Sequence, residues 1–216
     1  MAIGGKYKTL FSNKQYLASV AVGIFLLGTS LIVNYIAGLY ATHNTSNSVS
    51  DLLLDNLPVF DLDTFFIYGP ITLVVFIIVL IWREPERLPF VTKTIALFVF
   101  TRSAFITFTH LGPTPNRIPL PPDNPLRWFT FGGDLFFSGH TGLPFLMALI
   151  FWEEKIIRYI FLAASILFGA VVLLGHLHYS IDVFAAFFIT YGIVNLAKKF
   201  FAKDYAFIRQ FKLRKS

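Results

Sequence analysis

Thirty-six consecutive residues, between Lys14 and Asp51, include no Asp, Glu, Lys or Arg. Most of the stretch Leu17–Tyr40 is apolar, and about 20 such residues suffice to cross about 30 Å of hydrocarbon as a helix. It is too long for a signal-peptide core of about 7–15 residues, so it reads as an uncleaved first membrane span. A chain that begins this way must satisfy its backbone inside the bilayer, which leaves helices or a closed barrel. The length of the run selects the helix.

Five further segments read the same way: Thr64–Trp82, Phe90–Thr109, Leu135–Trp152, Tyr159–Gly175 and Ile181–Leu196. The fourth of the six spans is the shortest in character, because its purely apolar part is Leu143–Trp152. Composition agrees: 56% of the 216 residues are hydrophobic and 14% are charged, against about a quarter charged in soluble domains. The expected fold is therefore all-α, a six-helix polytopic membrane bundle forming one domain over residues 1–216. Its core is expected over about 60–200, with basic ends at 1–16 and 198–216.

Charge sets the expected orientation. Fifteen of the 18 basic residues fall at the N-terminus, in the second and fourth connections and in the C-terminal tail. Basic residues favour cytoplasmic loops, so both termini are expected in the cytoplasm. The net charge of +6 is thus a topology signal. No basic stripe with interleaved exposed aromatics is present, so nucleic acid is excluded as a partner. With no cysteine, disulfide and thiolate chemistry are excluded too.

The opposite face differs in kind. All five histidines (His43, His110, His140, His176 and His178) and seven aspartates fall there. The loop Gly112–Pro125 holds six of the eleven prolines and reads either as a stiff rim or as a plain connection. Val49–Phe60 reads as a short interfacial helix. The aromatic and basic tail from Lys198 reads as another, on an anionic leaflet.

Two outer segments carry residue types suited to phosphate chemistry. Ser138-Gly139-His140-Thr141 opens a helix, whose free N–H groups attract an anion, and its histidine can protonate a leaving oxygen. The bland alternative is an N-cap serine beside a hydrogen-bonded histidine. His178 and Asp182 are four apart and share a helix face. A carboxylate on one imidazole nitrogen leaves the other free to attack phosphorus; the alternatives are an interfacial pair or a metal site. No His-x-x-x-His spacing supports a metal, and none is expected. Arg102 lies inside a span, where a charge costs at least ~2.5 kcal/mol and faces a partner or a wet cavity. It can grip a phosphate or pair with Asp134 or Asp182. Asp134 can cap the helix, orient a histidine or hold a cationic head group.

Gly133 through Thr141 and His178 through Val183 resemble the paired signatures of the type 2 phosphatidic acid phosphatase superfamily. They are most similar to its sphingomyelin synthase branch, with Gly-Asp-x-x-Phe-Ser-Gly-His-Thr and His-Tyr-Ser/Thr-x-Asp-Val. Arg102 through Thr109 is similar to that branch's Arg-containing third span. The resemblance covers about residues 60–200. Phe137 stands where the phosphatase branch has Pro, Val172 where it has an Arg, and no Lys-x6-Arg-Pro motif is present.

The resemblance implies a cofactor-free enzyme. His178 would be the nucleophile, Asp182 its orienting carboxylate and His140 the acid and then base. Arg102, Asp134, Ser138, Gly139 and Tyr179 would bind the phosphate or head group. The implied reaction moves phosphocholine or phosphoethanolamine from a glycerophospholipid donor to a lipid-alcohol acceptor such as ceramide, releasing diacylglycerol. Hydrolysis with water as acceptor is the second reading, and a lipid carrier or scramblase the third. The site would face the periplasm of a bacterial inner membrane, or a Golgi lumen or cell exterior. A homo-oligomer is compatible with either setting.

Overall fold

The computed structural model describes residues 3–114 and 133–213, and these form eight α-helices with no strand. They are α1 (Ile3–Phe11), α2 (Lys14–His43), α3 (Asp63–Arg83), α4 (Leu88–Phe108), α5 (Gly139–Ile150), α6 (Lys155–Leu174), α7 (Ser180–Phe200) and α8 (Ala202–Leu213). The proline-rich loop falls largely in residues 115–132, outside the described residues, as do Arg117 and Arg127.

Five segments are long and apolar enough to span a membrane: α2, α3, α4 with its preceding turn, α6 and α7. They contain or closely match five of the six expected spans. The sixth differs. In place of a helix over Leu135–Trp152, helical structure runs only from Gly139 to Ile150, 12 residues, or about 18 Å. The reason is packing: Leu146, Met147 and Ala148 are fully buried, so α5 lies inside the bundle. The residues before it, up to its cap at Ser138, are engaged by their neighbours instead of by helical bonds.

Small residues set the close approaches, as expected where apolar solvent gives helices little reason to associate. A Cβ at Gly142 would stand 2.8 Å from the Phe98 ring and 3.0 Å from Thr190 Oγ1, so α5 sits tightly on α4 and α7. A Cβ at Gly169 would stand 3.2 Å from Val183, bringing α6 onto α7. Ser165 Oγ donates to Thr141 O at 2.8 Å, fastening α6 to α5. Helix α2 lies on α4, where Gly23 meets Thr92 and Pro89, and its other face exposes Phe25, Ile32 and Ile36.

The ends of the bundle are fastened by different chemistry. At the basic end, Arg87 pairs with Glu84 and Glu154 and donates to Ile150 O. Lys93 reaches Asp204 of α8 at 2.7 Å and Ser19 of α2 at 2.6 Å. The tail is therefore helical as expected, and it is also docked on the bundle. At the other end lie the C-termini of α2, α4 and α6 and the N-termini of α3, α5 and α7, with all five histidines. A cavity of about 390 Å³ opens at the basic end, lined by Arg87, Trp152, Glu154, Lys198, Tyr205 and Arg209. No histidine lines it.

The stretch Val49–Phe60 corrects an expectation. It has a single 3-10 turn at Leu54–Asn56 and otherwise no helix. Asp51 competes for the backbone, accepting from the N–H groups of Leu53 (2.9 Å) and Leu54 (3.2 Å) through Oδ1. Its Oδ2 accepts from Ser180 N at 2.7 Å, at the start of α7.

That bond has a pH signature. Burial raises the Asp51 carboxyl pKa, but the hydrogen bonds from Ser180, Leu54 and Leu53 outweigh it, leaving it below the ordinary 3.8. A depressed carboxyl stabilises the fold above its unfolded value and loses that contribution as pH falls through the folded value. Replacing Asp51 with Asn puts an amide NH2 or a neutral oxygen where the carboxylate accepts from Ser180 N, and is expected to lower stability by about 1 kcal/mol near neutral pH. The gap from wild type should close as the pH falls through the folded-state value, below the ordinary 3.8, where wild-type Asp51 is itself neutralised. Thermal unfolding in detergent across pH checks this; an equal gap at every pH refutes it.

Candidate active site

The two motifs meet at one backbone bond, from Ser138 N–H to Asp182 O at 3.0 Å. Around it the histidine end is built. Ser138 is the N-cap of α5, and its Oγ accepts from Thr141 N at 3.4 Å. That leaves Gly139 and His140 in the first turn of the helix, where backbone N–H groups lack intrahelical acceptors.

Asp182 has three tasks. Its Oδ2 accepts from Tyr179 N at 2.9 Å, closing the capping box of α7. The same oxygen lies 3.3 Å from His178 Nδ1. Its main-chain carbonyl receives Ser138 N–H. Asp182 is fully buried, and His178 is 5% exposed. A carboxylate so placed accepts a hydrogen from Nδ1 and leaves Nε2 with its lone pair.

His140 faces this pair, with ring centroids 6.4 Å apart and planes 59° apart. Its own environment comes from α3. The Phe66 ring stacks on it at 4.2 Å and 20°, and Nε2 lies 3.2 Å from Phe66 O. A reacting atom approached from both sides at about 3–3.5 Å fits between rings at this spacing. His140 and His178 thus lie at the same end of the bundle, as two-histidine chemistry requires.

Arg102, near the end of α4, is engaged by protein. Nε donates to Phe137 O at 3.0 Å, and Nη2 to Asp134 O at 2.6 Å and Asp134 Oδ2 at 3.2 Å. Nη1 reaches Asn34 Oδ1 at 3.4 Å. Of the two readings open for Arg102, the ion pair with Asp134 is present. A guanidinium inside an apolar bundle needs such partners. It also abuts the first turn of α5, since a Cβ at Gly139 would stand 3.4 Å from Arg102 Nε. Its charge therefore lies beside the first turn of α5 while its fork holds Asp134 and Phe137 in place.

The other candidates separate. Tyr179, expected among the binding residues, is 1% exposed, and its hydroxyl donates to Gly112 O at 3.0 Å and accepts from Val49 N at 3.2 Å. It joins two outer loops to α7, because a buried hydroxyl must find such partners. His176 is buried with φ of 50°, Nε2 3.3 Å from Leu57 O and its carbonyl bonded by Thr114 Oγ1. His110 stacks edge-on to Tyr40 at 5.5 Å and lines a different cavity with Phe136 and Ile181. His43 is exposed at the end of α2. Among the described residues no group of three or more His, Asp or Glu could hold a metal ion.

Phe66 and Asn34 were not anticipated as neighbours of the site. They lie 74 residues from His140 and 68 from Arg102, in spans whose apolar composition hides them.

Residues 132–199 match the family model described as PAP2 superfamily C-terminal. The match covers about a third of the chain and takes in both histidine motifs, α5, α6 and α7 up to residue 199, so over that stretch the chain is similar to this family. Neither the curated proteins nor the solved structures yield a match.

Proposed function

We propose that this chain, as a member of the type 2 phosphatidic acid phosphatase superfamily, is a membrane lipid phosphotransferase that works through a phosphohistidine. The observation that carries the reading is the facing pair of His140 and His178 with Asp182 behind His178.

In the first half-reaction the Nε2 lone pair of His178 attacks the phosphorus of a glycerophospholipid. The P–O bond to the glycerol oxygen breaks, its electron pair stays on that oxygen, and protonated His140 supplies the proton. Diacylglycerol leaves and the phospho-head group remains on His178. In the second, the hydroxyl of a lipid alcohol such as ceramide attacks phosphorus while neutral His140 takes its proton. The P–N bond breaks and its electrons return to Nε2. One histidine pair serves both halves, because the second step reverses the chemistry of the first.

Arg102 lends positive charge next to Gly139 and holds the loop that shapes the phosphate cradle. Ser138 and Gly139 present the α5 N-terminus to the anion. Asp134, 23% exposed at its side chain, stands where a cationic choline or ethanolamine group can approach. The chain would cross the bilayer six times, with α5 and its preceding loop as the short fourth crossing. Both termini would be cytoplasmic and the site on the far side.

The test is head-group transfer by purified protein. Labelled phosphatidylcholine and phosphatidylethanolamine are supplied with and without ceramide, and products are followed by mass spectrometry. Diacylglycerol and a head-group-bearing ceramide, formed only when ceramide is present, are expected. Release of free phosphate or phosphocholine without acceptor would instead make the enzyme a hydrolase, the reading kept second because water can enter the same cradle.

A further inference from the structure

A proline inside a transmembrane helix removes one hydrogen bond, and in α3 that proline is Pro70. A helical N–H at position 70 would donate to the carbonyl four residues earlier, that of Phe66. Proline has no N–H and its ring crowds that same carbonyl, turning it off the helix axis. Phe66 O is thereby left without its helical donor. It lies 3.2 Å from His140 Nε2. The neighbouring ring of Phe66 stacks on the His140 imidazole at 4.2 Å. Residue 69 is glycine, where a Cβ would stand 2.6 Å from the Phe168 ring, so this turn of α3 is pressed against α6. The acceptor is therefore held by the bundle.

We infer that Pro70 and Phe66 are positioning residues for His140: the carbonyl released by Pro70 keeps hydrogen on Nε2 and so makes Nδ1 the nitrogen that exchanges a proton with substrate. A carbonyl oxygen can only accept, so the bond requires N–H at Nε2. Nδ1 has no hydrogen-bond partner among the described residues. With the imidazole protonated, Nδ1–H is donated to the departing glycerol oxygen. With it neutral, the Nδ1 lone pair receives the proton of the acceptor hydroxyl. Nε2–H stays on Phe66 O throughout, and the stacked ring keeps the imidazole plane fixed between the steps. This assignment rests on the phosphotransfer reading for its chemistry, but the tautomer it requires is independent of any turnover. Both residues lie outside the matched region, residues 132–199, so the N-terminal half of the bundle tunes the histidine of the C-terminal half.

The test joins a spectroscopic readout to kinetics. Protein labelled with 15N-histidine in nanodiscs is compared with His140→Ala to assign the His140 ring. The groups that act on this ring are His178, with Asp182 behind it, and Arg102 of α4, so spectra are taken at alkaline pH. Neutral His140 is expected with hydrogen on Nε2 and a bare Nδ1.

Pro70→Ala restores a competing N–H and should make α3 more regular. It is expected to lower kcat about tenfold or more on a phospholipid donor, with KM little changed and a mixed tautomer at His140. On a p-nitrophenyl phosphodiester, whose leaving group needs no proton, the pre-steady-state burst of p-nitrophenol, which reports the first half-reaction alone, should match wild type in Pro70→Ala. Phe66→Leu, which keeps the carbonyl but removes the stack, should show the same donor-dependent pattern, and Phe66→Tyr should restore activity. Hydrogen on Nδ1 of wild-type His140 overturns the inference, as does wild-type kcat in Pro70→Ala on the phospholipid. Equal slowing of the first half-reaction on both donors also overturns it. If wild type fails to transfer head groups while the Nε2–H tautomer is observed, it is the phosphotransfer reading that falls.

Discussion

His178→Ala should lose head-group transfer by a factor on the order of 10^3 or more, with no labelled phosphoenzyme formed from the donor. In the proposed mechanism this imidazole forms the bond to phosphorus, and no nearby side chain replaces it. His140, the closest imidazole, sits across the site with its Nε2 on Phe66 O. The loss should appear in kcat and not as unfolding, because His178 makes one side-chain hydrogen bond, to Asp182. Quenching wild type in alkaline detergent, with head-group-labelled donor and no acceptor, should trap an acid-labile, base-stable adduct on the protein. Transfer at the wild-type rate by His178→Ala would remove the covalent mechanism through this histidine.

The second large effect is expected at Asp182, and two substitutions separate its tasks. In Asp182→Asn the amide oxygen can take the place of Oδ2, accepting from both Tyr179 N and His178 Nδ1. The cap and the tautomer survive, while the negative charge opposite the developing imidazolium is lost. The amide NH2 then occupies the position of Oδ1, which is buried with no hydrogen-bond partner. A fall in kcat of about 10^2 to 10^4 is expected, by the logic of carboxylate–histidine pairs. Asp182→Ala also removes the cap of α7, so a further stability loss of about 0.5–2 kcal/mol should accompany it. Thermal unfolding read beside the rate distinguishes the two. If Asp182→Asn turns over at the wild-type rate, the carboxylate is a capping group only and has no part in activating His178.

Much of this site is legible along the chain because its parts are local. His178 and Asp182 are four residues apart on one helical turn, and Ser138 caps the helix that carries His140. The five long helices are legible for the same reason, since about 20 apolar residues report a crossing whatever they pack against. What the chain does not show is where tertiary bonds replace local ones. Val49–Phe60 has the composition of an interfacial helix, yet Asp51 draws its backbone toward Ser180 of α7. Tyr179 sits beside the candidate nucleophile, yet its hydroxyl reaches Gly112, 67 positions away. Arg102 reads along the chain either as a phosphate grip or as a partner of Asp134 or Asp182, and the bundle brings it to Asp134, Phe137 and Asn34.

Apolar run lengths and the placement of basic residues are properties of the chain alone, and they were enough for the helical class and for the gathering of all histidines at one end. What the histidines do to one another depends on distances between helices. These are set by glycines at 142 and 169 and by the ring of Phe66 against His140. Pro70 shows the division most clearly. The chain dictates that one carbonyl of α3 goes without its helical donor, because proline has no N–H. Only the packed bundle decides that His140 is the group that takes it.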